Sequence, residues 1–408
     1  MTSAPPGTPA TDHAPLPLKG IRVLDMTRVL AGPYCALLLS EMGADVIKVE
    51  KPGRGDHYRR PRDGPLKAVP YQFLAWNSGK RSITLDTWLE EGKEVFRDLV
   101  RQSDVVLENF RPGVMEDMGL GYEALKEINP GIVMTSISGF GQGNSLSRYA
   151  AHAGVIAAFT GLIDVNQEGL KRAPGSSIDT MAGMLAAYGT AAALLGRQAT
   201  GIGRHVDIAM TNVVLGQSAG GIMRDLLTGP SEARDTPPAR AFPVAFHDVY
   251  RAKDGWFFIQ ADLEGEWMHL AEGMGQPELV TDPRFTTERL RGENKQEIDE
   301  IFNAWVCDKP MEEVFRLLGP LGVPCSPAHS TEEIAYHSYL RERGLVHDVE
   351  DPRAGMVPLV GPRILFVGEQ PAAPEPAPDL GQQNDEIFGG LLGYDAAKLE
   401  ALRKSEVI

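Results

Sequence analysis

The sequence predicts an α/β protein: a large domain built on a mostly parallel sheet with helices on both faces, plus a smaller α+β domain. Three observations predict it. Short β-branched runs alternate with helical apolar patterns through the first half of the chain. The alternation stops at about residue 228, where a stretch rich in Pro, Ala and charge begins. A hairpin pattern and several amphipathic segments then follow.

The elements follow in order. GIRVLDM, residues 20–26, reads as a buried strand. Pro33 sits where a first helical turn tolerates it, residues 34–42 carry a helical pattern, and Gly43 is a natural stop. Residues 44–50 are the next strand. A helix at 89–102 precedes a strand at 104–110, and a helix at 122–128 precedes one at 131–138. A long helix at 181–197 leads to a strand at 205–210. Because Gly183, Tyr188 and Gly189 interrupt its apolar run, that helix is read as buried, with no membrane span expected. Residues 247–261 form a hairpin turning at Lys253, Asp254 and Gly255, followed by helices at 266–273, 295–306 and 311–318. Residues 361–367 are expected to return to the first sheet as a strand. Residues 370–378 are a stiff linker, and the tail is helical at 385–392 and 395–403. The chain thus divides into a disordered leader (1–17), a first large-domain part (18–228), a small domain (229–335) and a return to the large domain (336–408). No repeat of 20–50 residues is visible.

Composition narrows the function. Hydrophobic residues make up 43% of the 408, which excludes disorder as a whole-chain description. The 55 acidic against 40 basic residues leave a net charge of −15, a poor match to nucleic acid. Cys35, Cys307 and Cys325 are scattered, with no disulfide framework and no CxxC pair, which fits a reducing cytoplasm. The first residues lack the basic and apolar regions of a signal peptide. No metal is expected: the nine His show no HxxxH or HxH spacing, and only Cys325 and His329 lie close together. GxGxxG and GxSxG are both absent, which argues against dinucleotide binding and an α/β-hydrolase elbow.

Three groups of residues carry candidate chemistry. Asp179, flanked by Ser176, Ser177 and Thr180 at the start of the long helix, suits both a helix cap and a nucleophile. Gly183, one turn on, lets a backbone or a substrate come close. Asn77, Lys80 and Arg81 in NSGKRSITLD, and Asn109, Phe110 and Arg111 in ENFRPG, read as basic and amide groups after strand ends, where open α/β sheets bind ligands. A solvated surface is the plainer alternative for both. His152, among small apolar residues, suits a hydrogen-bonded core position or a proton-transfer group. Arg234, Arg240 and His247 are candidate contacts for an acid, with an ordinary linker as the alternative.

Taken in order, LKGIRVLDMTRVLAGP, GADVIKVEKPGRGD, NSGKRSITLD, SDVVLENFRPGVMEDMGLGYEAL, SISGFGQ, the Asp179 helix with TGIGRHVDIAM, DPRF and GQQNDEIFGGLLGY resemble the class III CoA-transferases, the CaiB/BaiF family. The resemblance runs from about Leu18 to the C-terminus. It implies a Rossmann-like large domain built from both chain ends, a small inserted domain and an interlocked homodimer. It also implies Asp179 as catalytic nucleophile, and CoA binding by Val29, Leu30, Lys51, Asn77, Lys80, Asn109, Phe110 and Arg111. The implied activity passes CoA from an acyl-CoA to a carboxylic acid through aspartyl anhydride and aspartyl-CoA thioester intermediates. CoA is then a substrate, with no tightly bound cofactor. Two departures stand out. Asp117 replaces a basic residue often found there, and QADLEGE replaces a glycine-rich loop near residues 260–264.

The α-methylacyl-CoA racemases share this implied fold. Their proton-transfer groups fall on His152, Asp179 and Glu264, although Ala153 stands where an Asp usually follows the His. A non-catalytic CoA-binding protein is the third reading, and Asp179 speaks against it. The donor and acceptor acids are not legible.

Overall fold

The computed structural model describes residues 15–60, 70–166, 169–172, 176–229, 245–369 and 372–408. The expected leader, apart from residues 15–17, lies outside these residues. So do Arg234, Arg240 and positions 370–371 of the expected linker. The chain forms two compact units, residues 1–227 with 341–408, and residues 228–340.

In the first unit the β-branched runs form six parallel strands: β1 (Arg22–Asp25), β2 (Asp45–Glu50), β3 (Arg81–Thr84), β4 (Val105–Glu108), β5 (Val133–Ser138) and, after the short antiparallel pair β6 (Asp164–Asn166) and β7 (Gly169–Arg172), β8 (His205–Ala209). Their spatial order is β3-β2-β1-β4-β5-β8. Counted within the sheet this is 3-2-1-4-5-6, a Rossmann-like order that reverses direction between β1 and β4. Alternate residues serve the two faces. Val23, Val46, Val105, Leu107, Val133, Ile137 and Ile208 pack with Cys35 and Leu39 of α1 (Ala31–Glu41). Leu24, Ile47, Ile83, Val106 and Met134 pack under the opposite layer.

The helices between them are α2 (Tyr71–Asn77), α3 (Glu90–Arg101), α4 (Val114–Asp117), α5 (Tyr122–Ile128), α6 (Ala153–Phe159) and α7 (Ser177–Thr200), and α8 (Met210–Gln217) and α9 (Ala219–Thr228) follow β8. Val95, Phe96 and Leu99 of α3 and Leu125 of α5 share the second face with Ile387, Phe388, Leu399, Leu402 and Val407 from the tail. Each such side chain contributes on the order of 1.5–3 kcal/mol when fully buried.

Helix α7 differs from its expectation. Ile178, Ala182, Ala186 and Thr190 face the core, yet Tyr188 and Leu195 are 72% and 68% exposed. Only one face of the helix is buried. Among the described residues α7 is the one helix long and apolar enough, by length and composition alone, to cross a membrane. Its inner face instead covers the sheet.

The second unit pairs β9 (His247–Arg251) with β10 (Trp256–Gln260) through the expected turn, and β11 (Cys325–Pro327) joins as a third strand. Its helices are α10 (Glu264–Gly273), α11 (Glu288–Glu293), α12 (Lys295–Val306), α13 (Met311–Leu318), α14 (Thr331–Ala335) and α15 (Ser338–Glu342), within which the division between the units falls in sequence. Asp254 at the hairpin turn accepts the Met311 N–H and so caps α13, whose preceding residue is Pro310.

Residues 361–367 do not form the expected strand. Instead β12 (Val346–Asp351) and β13 (Gly355–Val360) make a separate hairpin. Pro362 has no N–H to give a ladder, and the Arg363 N–H is taken by the Glu41 carboxylate on α1. The return to the sheet is made by GQQND. The Gln383 and Asn384 side chains accept the N–H groups of Ser82 and Thr84 on edge strand β3. The tail ends in a π-helical turn (Asp385–Leu391) and α16 (Ala396–Lys404).

Candidate active site at the carboxyl ends of β1 and β4

The reversal between β1 and β4 opens a crevice at their carboxyl ends, the place where open parallel sheets bind ligands. A cavity of about 140 Å³ lies there, lined among others by Val29, Leu30, Asn109, Phe110, Arg111, Tyr149, His152 and Asp179. Seven residues singled out from sequence thus converge from four separate segments.

Asp179 is the third residue of α7. Ser176 takes the N-cap position, so the cap reading of Asp179 is corrected. Among the described residues no hydrogen bond holds its carboxylate. Burial raises its pKa, and the nearby His152 charge only partly opposes that. Among the described residues Asp179 is thus a partly desolvated carboxylate without a hydrogen-bond partner beside a cavity, a group with the chemistry of a base or a nucleophile. His152 occupies the N-cap position of α6.

The loop after β1 is tightly constrained. Asn109 grips it from just beyond β4, accepting the Arg28 N–H at 2.9 Å and donating to the Arg28 carbonyl at 2.9 Å. Asp56 accepts the Val29 N–H, and Lys48 donates to the Thr27 carbonyl at 2.9 Å. These bonds hold Val29 at a φ of 70°, a left-handed conformation that a β-branched residue adopts only under constraint. The Phe110 N–H is held by Glu108, and the Arg28 guanidinium lies 5.0 Å from the Phe110 ring centre. Gly139 continues the wall: a Cβ there would meet the Ala151 Cβ at 2.3 Å.

Arg28 and Phe110 also border a second cavity, about 110 Å³, lined by Lys51, Asp86, Thr87, Trp88, Val114 and Met118. Lys51 pairs there with Asp86 at 3.1 Å. Sequence reasoning misses Trp88 and Arg28. The signal available is an aromatic residue just beyond the carboxyl end of β3, in TLDTW.

Asn77 and Lys80 are placed elsewhere. They precede β3 rather than follow a strand, because α2 ends at Asn77 and RSIT is itself the strand. Both are buried. The Lys80 ammonium donates to Asp25, the Pro33 carbonyl and Asn77 at 2.9–3.0 Å. Burial pulls Lys80 down to about 8 against the pull of Asp25. Burial pushes Asp25 up, but Lys80 and Lys48 outweigh it and keep the carboxylate ionised. Asn77 and Lys80 therefore brace β1 and α1 from beneath and do not line either cavity. Arg81 reaches Asp45 and Glu386.

Glu264 belongs to the other unit. It accepts from the buried Arg291 at 3.0 and 3.2 Å and from the Glu288 N–H at 3.0 Å, which ties α10 to α11. His247 lies 3.5 Å from Asp262 in the same unit.

A Rossmann-like sheet with an acidic residue and a constrained loop at its switch point describes a ligand-binding enzyme domain. The comparisons make the class specific. Residues 18–384 match the model of CoA-transferase family III, and the chain belongs to that family. It is 36% identical to a succinyl-CoA–D-citramalate CoA-transferase of Chloroflexus aurantiacus, over 98% of this chain and all of the relative. It is 34% identical to a formyl-CoA:oxalate CoA-transferase of Streptomyces coelicolor (96% and 99%) and 32% identical to a succinyl-CoA:glutarate CoA-transferase of Mus musculus (98% and 93%). A crystal structure of a CaiB/BaiF family protein from Brucella suis superposes with a TM-score of 0.77 at 30% identity, covering 93% of this chain and 100% of that one. The α/β fold and the CoA-transferase class read from the sequence are thereby established.

Proposed function

We propose that the protein transfers CoA from an acyl-CoA thioester to a short dicarboxylic acid, with Asp179 as the covalent relay. The observation that carries this is the shared cavity: an unheld, desolvated carboxylate faces Val29, Leu30, Asn109, Phe110 and Arg111 at the switch point. The dicarboxylate class is suggested by the relatives, whose names give D-citramalate, glutarate and oxalate as acceptors.

The Asp179 carboxylate attacks the thioester carbonyl. The C–S bond breaks, leaving an acyl-aspartyl anhydride and CoA thiolate. The thiolate then attacks the aspartyl carbonyl and expels the donor acid as carboxylate, giving an aspartyl-CoA thioester. The acceptor carboxylate attacks that thioester and releases thiolate, forming a second anhydride. Thiolate attack on the acceptor-derived carbonyl yields the new acyl-CoA and regenerates Asp179. Each step exchanges a carboxylate for a thiolate, so no electron carrier enters. The Arg28, Lys51 and Arg111 cations beside the two cavities suit the CoA phosphates, and Trp88 and Phe110 offer faces for its base. Exposed Tyr188, Leu195, Met223, Leu226 and Leu227 on α7 and α9 supply the apolar surface that an interlocked homodimer would cover.

Incubation with acyl-CoA, trapping with hydroxylamine or borohydride, and mass spectrometry test the relay. A modification confined to the Asp179 peptide is expected, and Asp179→Ala should lose turnover while still binding CoA. Full activity in Asp179→Ala ends the reading. The racemase alternative is favoured by one observation, that His152 lines the same cavity as Asp179. Solvent deuterium entering the α-carbon of a 2-methylacyl-CoA, with no adduct, would select it.

A further inference from the structure

We infer that the small domain holds a site for one divalent transition-metal ion of the zinc class, formed by Glu312, His329 and His337. These residues come from three segments: the first turn of α13, the loop after β11, and the link between α14 and α15. One potential ligand atom from each lies within 4.8 Å of the other two. His329 Nε2 stands 3.4 Å from a Glu312 carboxylate oxygen. Zinc–ligand distances of about 2.0–2.1 Å place neighbouring ligands of a tetrahedron about 3.3 Å apart. That pair is therefore already at the spacing an ion requires, and His337 needs only a short closing movement. The His329 and His337 ring centres are 5.5 Å apart, with planes inclined at 57°.

The donor set selects the ion. Two imidazoles and one carboxylate suit Zn²⁺, Co²⁺ or Ni²⁺ over the hard, all-oxygen preference of Mg²⁺ and Ca²⁺. Further negative charge stands close by. Glu332 and Glu333 occupy the first turn of α14, and Glu333 is engaged by the Ser330 N–H at 2.7 Å, so it adds field without being spare as a ligand. His337 Nδ1 accepts the Tyr339 N–H at 3.2 Å, at the long end of the hydrogen-bond range. Three protein ligands leave a position for water. The ion would staple the start of α13 to the segment 329–337. Sequence spacing conceals the set because its members stand 17 and 8 residues apart. This inference is independent of the CoA-transfer reading.

The test uses the full chain, stripped with chelator and dialysed, then titrated with Co²⁺ by visible absorption and with Zn²⁺ by calorimetry. One equivalent per chain is expected. His329→Ala, and the near-isosteric Glu312→Gln at an exposed position, should each weaken binding about tenfold or more. His57→Ala and Asp179→Ala should leave it unchanged. Circular dichroism confirms that each variant is folded. Absence of stoichiometric uptake by the wild type, or an unaltered Co²⁺ spectrum in the His329→Ala/His337→Ala double variant, overturns the site.

Discussion

A Cβ on Gly183 would stand 2.6 Å from the Ala31 carbonyl oxygen, so α7 and α1 touch backbone to backbone one turn beyond Asp179. Ala31 and the preceding Leu30 line the same cavity as Asp179. Gly183→Ala must push the helices apart, and with them Asp179 and the loop after β1. The expected cost is about 1–3 kcal/mol in stability, with kcat falling more than KM rises. Gly196→Ala on the same helix is the control. A Cβ there meets nothing within 4 Å, and the change should be neutral or stabilising by up to about 1 kcal/mol. Urea unfolding and steady-state kinetics on the two variants check the contrast.

The Lys80–Asp25 pair is fully buried. Deleting one partner leaves the other charge without compensation, so Lys80→Met is expected to cost about 3–5 kcal/mol. The Asp25→Asn/Lys80→Met double variant should recover much of that loss. CoA affinity in the double variant separates bracing from contact. If Lys80 braces the fold, affinity stays near wild type once stability returns. A persistent loss would place Lys80 in the CoA site after all.

Much of this architecture is legible in the amino-acid pattern. Short β-branched apolar runs mark all the strands of the large sheet except β3, because RSIT is only four residues long and its Arg81 and Ser82 read as a polar loop. That omission puts Asn77 and Lys80 after a strand end. Their amide and ammonium are the residue types that bind phosphate, but they are equally the types that satisfy a buried carboxylate, and type alone does not separate the two. Asn109, Phe110 and Arg111 stand out after a strand end, Asp179 at a helix start and His152 as a lone imidazole among small apolar residues, whereas Val29 and Leu30 are reached only through the family resemblance. Trp88 and the Glu312–His329–His337 set do not, since proximity across separate segments leaves no spacing rule to read. The expected strand at 361–367 fails on Pro362 and on a Glu41 acceptor that no local pattern announces.

Glu108 gives the molecule a pH dependence. Burial pushes its carboxyl up to about 7, with Ser136 and the Phe110 N–H opposing and Glu116 and Asp207 assisting. In the unfolded chain the group ionises near its ordinary value of 4.5. Between these values the folded state binds more protons at Glu108, so the contribution of this group to stability is fullest below 4.5 and is lost as pH rises through 7. A displacement of this size corresponds to roughly 3 kcal/mol. Glu108→Gln should flatten that slope. Urea midpoints from pH 5 to 8 measure it, and an unchanged slope would assign the dependence to other groups.

The wall shared by Arg28 and Phe110 divides the crevice into a compartment around Asp179 and one around Trp88 and Lys51. If the nucleotide end of CoA lies in the second and the thioester in the first, binding and chemistry are separable by mutation. Trp88→Ala removes a ring that is half exposed and free to stack, and the loss of one base stack is worth about 1–3 kcal/mol. KM for acyl-CoA should then rise about tenfold or more while kcat and acyl preference stay near wild type. Arg111→Ala, in the first compartment, should also weaken CoA binding without changing acyl preference. Asp179→Asn should do the reverse, leaving CoA affinity intact and removing turnover. Calorimetry with CoA alongside steady-state kinetics resolves the two effects. A Trp88→Ala variant with unchanged CoA affinity would move the nucleotide out of this compartment and leave the Lys51–Asp86 pair as a surface ion pair only.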